Sequence, residues 1–185
     1  MSTTVKSATI EDLYQIPETG KAELVNGVLM SMPPTGGDPA QAGFEIAVSL
    51  RQYARQTQTG IAVPDNAGFI VDLPHRQSFS PDAAYYIGPN PGMRFYQGAP
   101  VFAVEVRSEN DYGEKAEERM QAKRQDYFAA GTLVVWDIDL LGVDVVKVYR
   151  AESPDQPTIY RRGDLAEAEP AVPDWTFEVD ALFGK

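Results

Sequence analysis

The sequence predicts an α/β fold, a mixed β-sheet flanked by helices, and three observations carry that prediction. Ala42, Ile46, Leu50, Tyr53 and Ala54 recur at helical spacing. Short runs rich in β-branched and aromatic residues surround that segment, VFAVEVRS at 101–108 being the strongest. A strand, a helix and another strand then succeed one another over 101–137, the order of a right-handed parallel crossover.

Each element has its own local reason. Thr9-Ile10-Glu11-Asp12 reads as a helix start, with Thr9 as N-cap, carboxylates in the first turn and an end near Pro17. KAELVNGVLMSM holds two apolar runs around Asn26-Gly27, the pair that best tolerates the positive φ angles of a type I′ turn. A hairpin with Glu23 on its first strand is therefore expected. PPTGGDP is turn chemistry, and the helix after it should span 40 to 58 before Gly60.

Strands at 61–63, 67–73 and 82–87 suggest an antiparallel meander, with LPHRQSFSP as a loop between the last two. GPNPGMRFYQGAP reads as a connecting loop before 101–108. Asn110 or Asp111 can cap the next helix, which runs to Ala130 and stops at Gly131. LVVWDID and VDVVKVYR are strands separated by Leu140-Leu141-Gly142, and TIYRR is a weaker third. From Gly163 the chain is acidic and punctuated by proline, ending on an apolar anchor of Trp175, Phe177, Leu182 and Phe183.

The 185 residues suit one domain over 1–185. Cysteine is absent, so disulfides and thiolate metal sites are excluded, and a metal would need oxygen ligands or the sole histidine, His75. Oxygen ligands favour Mg2+ or Mn2+. No apolar run reaches the roughly 18 residues of a membrane span, so a soluble cytoplasmic protein with no membrane partner is expected. A net charge of −11 argues against nucleic-acid binding by the surface as a whole. Any such binding must use a local basic patch.

Asp82, in SPDAAYYI, and Glu105, inside VFAVEVRS, stand out because a strand flanked by Phe102, Ala103, Val104 and Val106 should be apolar. An ionised carboxylate left unpaired in a sheet interior costs roughly several kcal/mol. A metal, a basic partner or a water-filled cleft would remove that cost, and so would an outward, solvated Glu105. Asp82 and Glu105 on neighbouring strands can converge on one hard cation, with the Val106 carbonyl as a further ligand. Arg107 shares the face of Glu105 and, being permanently protonated, can only orient or neutralise.

Lys115, Arg119, Lys123 and Tyr127 are spaced by four on the following helix, so Lys123 can reach back toward the carboxylates. The same stripe also fits a solvated face paired with Glu114, Glu117, Glu118 and Asp126. Other residues have plainer readings. His75 reads as a surface histidine, Trp136 and Tyr149 as core, Asp137 and Asp139 as caps or turn formers, and Arg161-Arg162 as a solvated edge.

AELVNGVLMSMPP, a helix, SPDAAYY, Gly-Ala-Pro, VFAVEVRS, then KRQDYFAAG and LVVWDID together resemble the bacterial Uma-two family of restriction-endonuclease-like proteins, within the PD-(D/E)XK nuclease superfamily. The likeness runs in order from about Thr9 to Phe183. It implies a restriction-endonuclease-like mixed sheet with flanking helices, a divalent-metal site and phosphodiester hydrolysis on DNA. By resemblance Asp82 matches the Asp of the PD element, Glu105 the central carboxylate, Glu23 the early acid and Lys123 a lysine four before tyrosine. The superfamily's lysine two after the central carboxylate is Arg107 here, which leaves Lys123 as the migrated cation.

The leading expectation is a metal-dependent endonuclease with Asp82, Glu105 and Val106 as metal ligands. Glu23 adds a ligand or positions water, Lys123 stabilises the transition state and Arg107 assists. A homodimer, which would present two sites to two DNA strands, is also expected. The alternative is a catalytically inactive binding or assembly module in which Arg107 neutralises Glu105. Hydrolysis of another phosphoester is a third reading.

Overall fold

Residues 7–16 and 20–184 of the chain are described by a computed structural model. Thr9 opens α1 (Ile10–Tyr14) with a reciprocal cap: its hydroxyl accepts from the Asp12 amide at 3.3 Å, and Asp12 Oδ2 accepts from the Thr9 amide at 2.8 Å. The end expected near Pro17 lies outside the described residues. β1 (Lys21–Val25) and β2 (Val28–Met32) pair antiparallel around Asn26 and Gly27, whose φ angles are 51° and 68°. α2 (Gly37–Thr57) buries Ala42, Gly43, Ile46, Ala47 and Leu50 along one stripe and ends at Gln58, which takes the left-handed conformation.

β3 (Ile61–Pro64) forms as expected, but the 67–73 strand shrinks to β4 (Phe69–Ile70). That short strand lies outside the main sheet. It pairs antiparallel with β5 (Ser78–Phe79), and the next strand in sequence is β6 (Ala83–Tyr86). β7 (Tyr96–Gln97) pairs parallel with β4. Two segments that read as loops thus each donate a strand, because their aromatic residues pack inward: half-buried Tyr96 stacks on Phe69 with centroids 5.0 Å apart, and Phe79 is fully buried.

β8 (Phe102–Val106) is followed by α3 (Glu114–Ala129) and β9 (Val134–Ile138), and β8 and β9 pair in parallel. The N-cap of α3 is Gly113, at φ 92°, rather than Asn110 or Asp111. Asp111 instead accepts from the amide and hydroxyl of Ser108, at 2.9 and 2.7 Å. β10 (Val146–Arg150) and β11 (Ser153–Tyr160) complete the sheet, β11 being longer than TIYRR suggested. The tail is also more than an anchor. β12 (Leu165–Ala168) and β13 (Val172–Glu178) form a further hairpin that buries Ala166, Ala168, Trp175 and Phe177.

The main sheet has six strands in the order β11-β10-β9-β8-β6-β3, with β8 and β9 its parallel pair. Strand alternation divides it into two faces. Phe102, Val104, Val134, Trp136 and Ile138 join α2 and the tail hairpin in one core. Ala84, Ala103 and Val135 join Phe79 and Tyr127 in the other, under α3. Glu105 follows Ala103 on this second face.

Candidate active site

The register of β6 on β8 pairs Ala83 with Val104 and Ala84 with Ala103, which brings Asp82 level with Glu105. Residues directly opposite on adjacent strands have Cβ atoms about 5 Å apart. Asp82 is anchored from three directions. Its amide donates to the Val104 carbonyl at 3.0 Å, its Oδ2 accepts from the Val106 amide at 2.8 Å, and its Oδ1 accepts from Lys21 Nζ at 2.7 Å. Helix α2 crosses closely here: a Cβ on Gly43 would lie 3.2 Å from the Asp82 carbonyl oxygen, so the glycine permits the approach.

Glu105 is met by α3. Lys123 Nζ donates to Glu105 Oε2 at 2.9 Å and Tyr127 Oη to Oε1 at 2.6 Å, the two donors lying one helical turn apart. Lys123 Nζ also stands 2.9 Å from Glu23 Oε1. Glu23, 5% exposed, further accepts from the Ser80 amide at 3.0 Å and from Arg76 at 2.6 Å. The four sequence candidates Glu23, Asp82, Glu105 and Lys123 therefore come together around one cavity.

Their acidities follow from burial and neighbours. Burial is the largest influence on Glu105 and raises its carboxyl, Asp82 and Glu23 push the same way, and Lys123 and Lys21 oppose them without prevailing. Burial likewise raises Glu23, but Lys123, Arg76 and the Ser80 amide outweigh it and hold the group below the usual carboxylate range. For Lys123 burial disfavours the ammonium, while Glu105 and Glu23 together keep its pKa above that of a free lysine. Tyr127 is raised well above an ordinary phenol, first by burial and then by Glu105, so it stays a donor.

Two participants escape a reading of the sequence. Lys21, two residues before Glu23 and hence on the same face of β1, bridges Asp82 at 2.7 Å and Asp65 at 2.6 Å. Burial is the largest influence on it and lowers its pKa, but Asp82, Glu105 and Asp65 raise it further. The same-face spacing to Glu23 was the available signal. Arg76 links Glu23 to Asp126, accepted there at 2.7 Å, and Asp126 also bonds His75 Nε2 at 2.6 Å. No periodicity marks Arg76, because it lies in the loop LPHRQSFSP.

Arg107 does not serve the site as expected. It shares the α3 face with Glu105, but its guanidinium engages Asp137 through two bonds, at 2.8 and 2.9 Å, and also Glu117. The cause is Asp137, which is 1% exposed and needs a cation more than Glu105 does. Arg124 adds a third bond to Asp137 at 3.2 Å. Asp137 is thus a buried ion-pair centre, not a cap. The Arg107 pairing with Glu105 on which the inactive alternative rested gives way to Lys123 and Tyr127. Val106 lines the cavity and meets Asp82 through its amide.

The remaining residues follow their plain readings. Asp139 closes a turn by accepting from the Leu141 and Gly142 amides, each at 3.0 Å. Trp136 and Tyr149 are buried. Arg161 and Arg162 pair with Asp144 and Asp180 at the surface, and His75 is half-exposed.

The cavity has a volume of about 760 Å³. Val28, Met30 and Met32 of β2 give it an apolar lining beside the charged cluster. Among the described residues no three His, Asp or Glu side chains are grouped to enclose a metal. An open site of two carboxylates is a different matter, because magnesium keeps most of its waters and takes one or two protein carboxylates. Asp82 and Glu105, opposite one another on one cavity wall, fit that requirement.

Comparison with known proteins agrees with this architecture. The crystal structure of a putative nuclease belonging to DUF820 from Anabaena variabilis ATCC 29413 superposes with a TM-score of 0.73 at 18% identity, covering 95% of this chain and 97% of that one. No curated protein matches the chain. No helix among the described residues is long and apolar enough to cross a membrane. The family model Uma2, described as "Putative restriction endonuclease", matches residues 10–180. With the match spanning the first and the tail hairpins, α2, α3 and every strand of the main sheet, the chain belongs to the Uma2 family.

Proposed function

We propose that this chain is a metal-dependent endonuclease that hydrolyses phosphodiester bonds in DNA, with Asp82 and Glu105 holding Mg2+ or Mn2+. The observation that supports this most is Lys123, hydrogen-bonded to Glu105 and 2.9 Å from Glu23, beside Asp82 in a solvent-reached cavity. A divalent ion bound there would supply positive charge against the negative charge that builds on the phosphoryl oxygens.

The chain's own groups do the rest. Lys123 stays protonated, so it acts as a charge source and hydrogen-bond donor to the phosphate or the attacking water, not as a base. Glu23, its oxygens occupied by Arg76, Ser80 and Lys123, positions that ammonium. The Val106 amide fixes one Asp82 oxygen and leaves the other directed at cations. Arg119, exposed on the same cavity, adds to the positive charge of Lys21 and Lys123 there. A twofold dimer would offer two such clefts to two strands, and sedimentation would establish it.

The test is cleavage of single-stranded, duplex and supercoiled DNA with Mg2+ or Mn2+, by the chain and by Asp82→Ala. Metal-dependent cleavage by the first and not the second is expected. Equal background from both would refute the assignment.

A further inference from the structure

Lys21 has two carboxylates at hydrogen-bond distance, one of them the proposed metal ligand Asp82, and no part in the reaction proposed above. Its ammonium lies 2.7 Å from Asp82 Oδ1 and 2.6 Å from Asp65 Oδ1. The two anchors differ. Asp82 is 14% exposed in its side chain and Asp65 is 44% exposed. Asp82 Oδ2 is already taken by the Val106 amide, so Oδ1 is the oxygen open to a cation, and Lys21 sits on it. Asp65 is held in place by its own bond from the Asn66 amide, at 2.7 Å.

We propose that Lys21 is a resident counter-cation that occupies Asp82 until a divalent ion arrives, then withdraws onto Asp65. The inference rests on the metal reading of Asp82. An ammonium and a divalent ion cannot share one carboxylate oxygen without strong like-charge repulsion, whereas the four-carbon lysine stem lets the ammonium move without moving β1. Lys21 then does two things. It offsets the mutual repulsion of Asp82 and Glu105 in the metal-free protein, and it sets how tightly the ion is held.

The test is calorimetric titration of the full chain with MnCl2, alongside Lys21→Met and Asp65→Asn. Removing the competitor in Lys21→Met should tighten Mn2+ binding about tenfold, the scale of one partly buried ion pair. Asp65→Asn removes the place to which the ammonium retreats, so it should weaken binding several-fold. In thermal melts, Lys21→Met should be less stable than the wild type without metal and regain the difference with Mn2+. Opposite signs in the two variants support the assignment, since a merely structural lysine would shift both the same way. Same-sign or unchanged affinities, against measurable wild-type binding, overturn it. No saturable Mn2+ binding in any of the three overturns the metal reading and this inference together. If Lys21→Met does not fold, unchanged or tighter binding by Asp65→Asn overturns the inference.

Discussion

Lys123 donates to Glu105 at 2.9 Å across the gap between α3 and β8, and the same ammonium reaches Glu23 of the first hairpin. Three elements distant in sequence therefore depend on one side chain. Substituting Lys123→Met would leave Glu23 and Glu105, whose side chains are only 7% and 20% exposed, without their shared cation. A loss of about 3 kcal/mol is expected in urea denaturation. Lys123→Arg, which keeps the charge, should recover most of that stability.

Tyr127→Phe separates packing from hydrogen bonding. The ring stacks on Phe79 with centroids 4.0 Å apart and keeps that contact, while the 2.6 Å bond to Glu105 disappears. The expected cost is about 1–2 kcal/mol in urea denaturation, with near-ultraviolet circular dichroism little changed. A fully cooperative fold with no loss of stability would show that the bond contributes nothing.

Gly43 tests the seating of α2 against the site. Its missing Cβ would stand 3.2 Å from the Asp82 carbonyl oxygen and 3.5 Å from the Asp82 Cβ. Gly43→Val should force the helix outward at about 1–3 kcal/mol, measured by thermal melting, despite the higher helix propensity of valine. It should also displace Asp82, weakening Mn2+ binding in calorimetry.

The Glu117 carboxyl is held below its ordinary value, chiefly by its hydrogen bond from Arg107 and against the effect of burial. A depressed folded-state pKa stabilises the fold above the unfolded value of about 4.3 and loses that contribution as pH falls through the folded value. The urea midpoint of the wild type should thus exceed that of Glu117→Gln at pH 7, with the gap closing below about pH 4. Glu117 is half-exposed, so solvent screening limits the gap to about 0.5–1 kcal/mol. A gap that stays constant down to pH 3 would contradict this account.

Asp82, Glu105 and Lys123 were legible because local rules govern them: strand alternation sets the face of Glu105, and helical spacing sets that of Lys123. Lys21 and Arg76 were not. Their partners lie far off in the chain, Asp82 for Lys21 and Glu23 and Asp126 for Arg76, and only the docking of the first hairpin brings them near. Arg107 was assigned to the right face and the wrong neighbour, since nothing local reveals that Asp137 is the more deeply buried acid. The tail hairpin escaped because its inward residues on β12 are Ala166 and Ala168, too small to raise an apolar signal.

The placement of the aromatic residues has a practical consequence for optical measurement. Both tryptophans of the chain, Trp136 and Trp175, pack 5.3 Å apart in the core beneath α2 and the tail hairpin. The charged cavity lies across the sheet, beside Tyr127. Indole emission will therefore report global unfolding while remaining nearly blind to events in the cavity. Tyrosine absorbance is the intrinsic signal suited to following occupancy there.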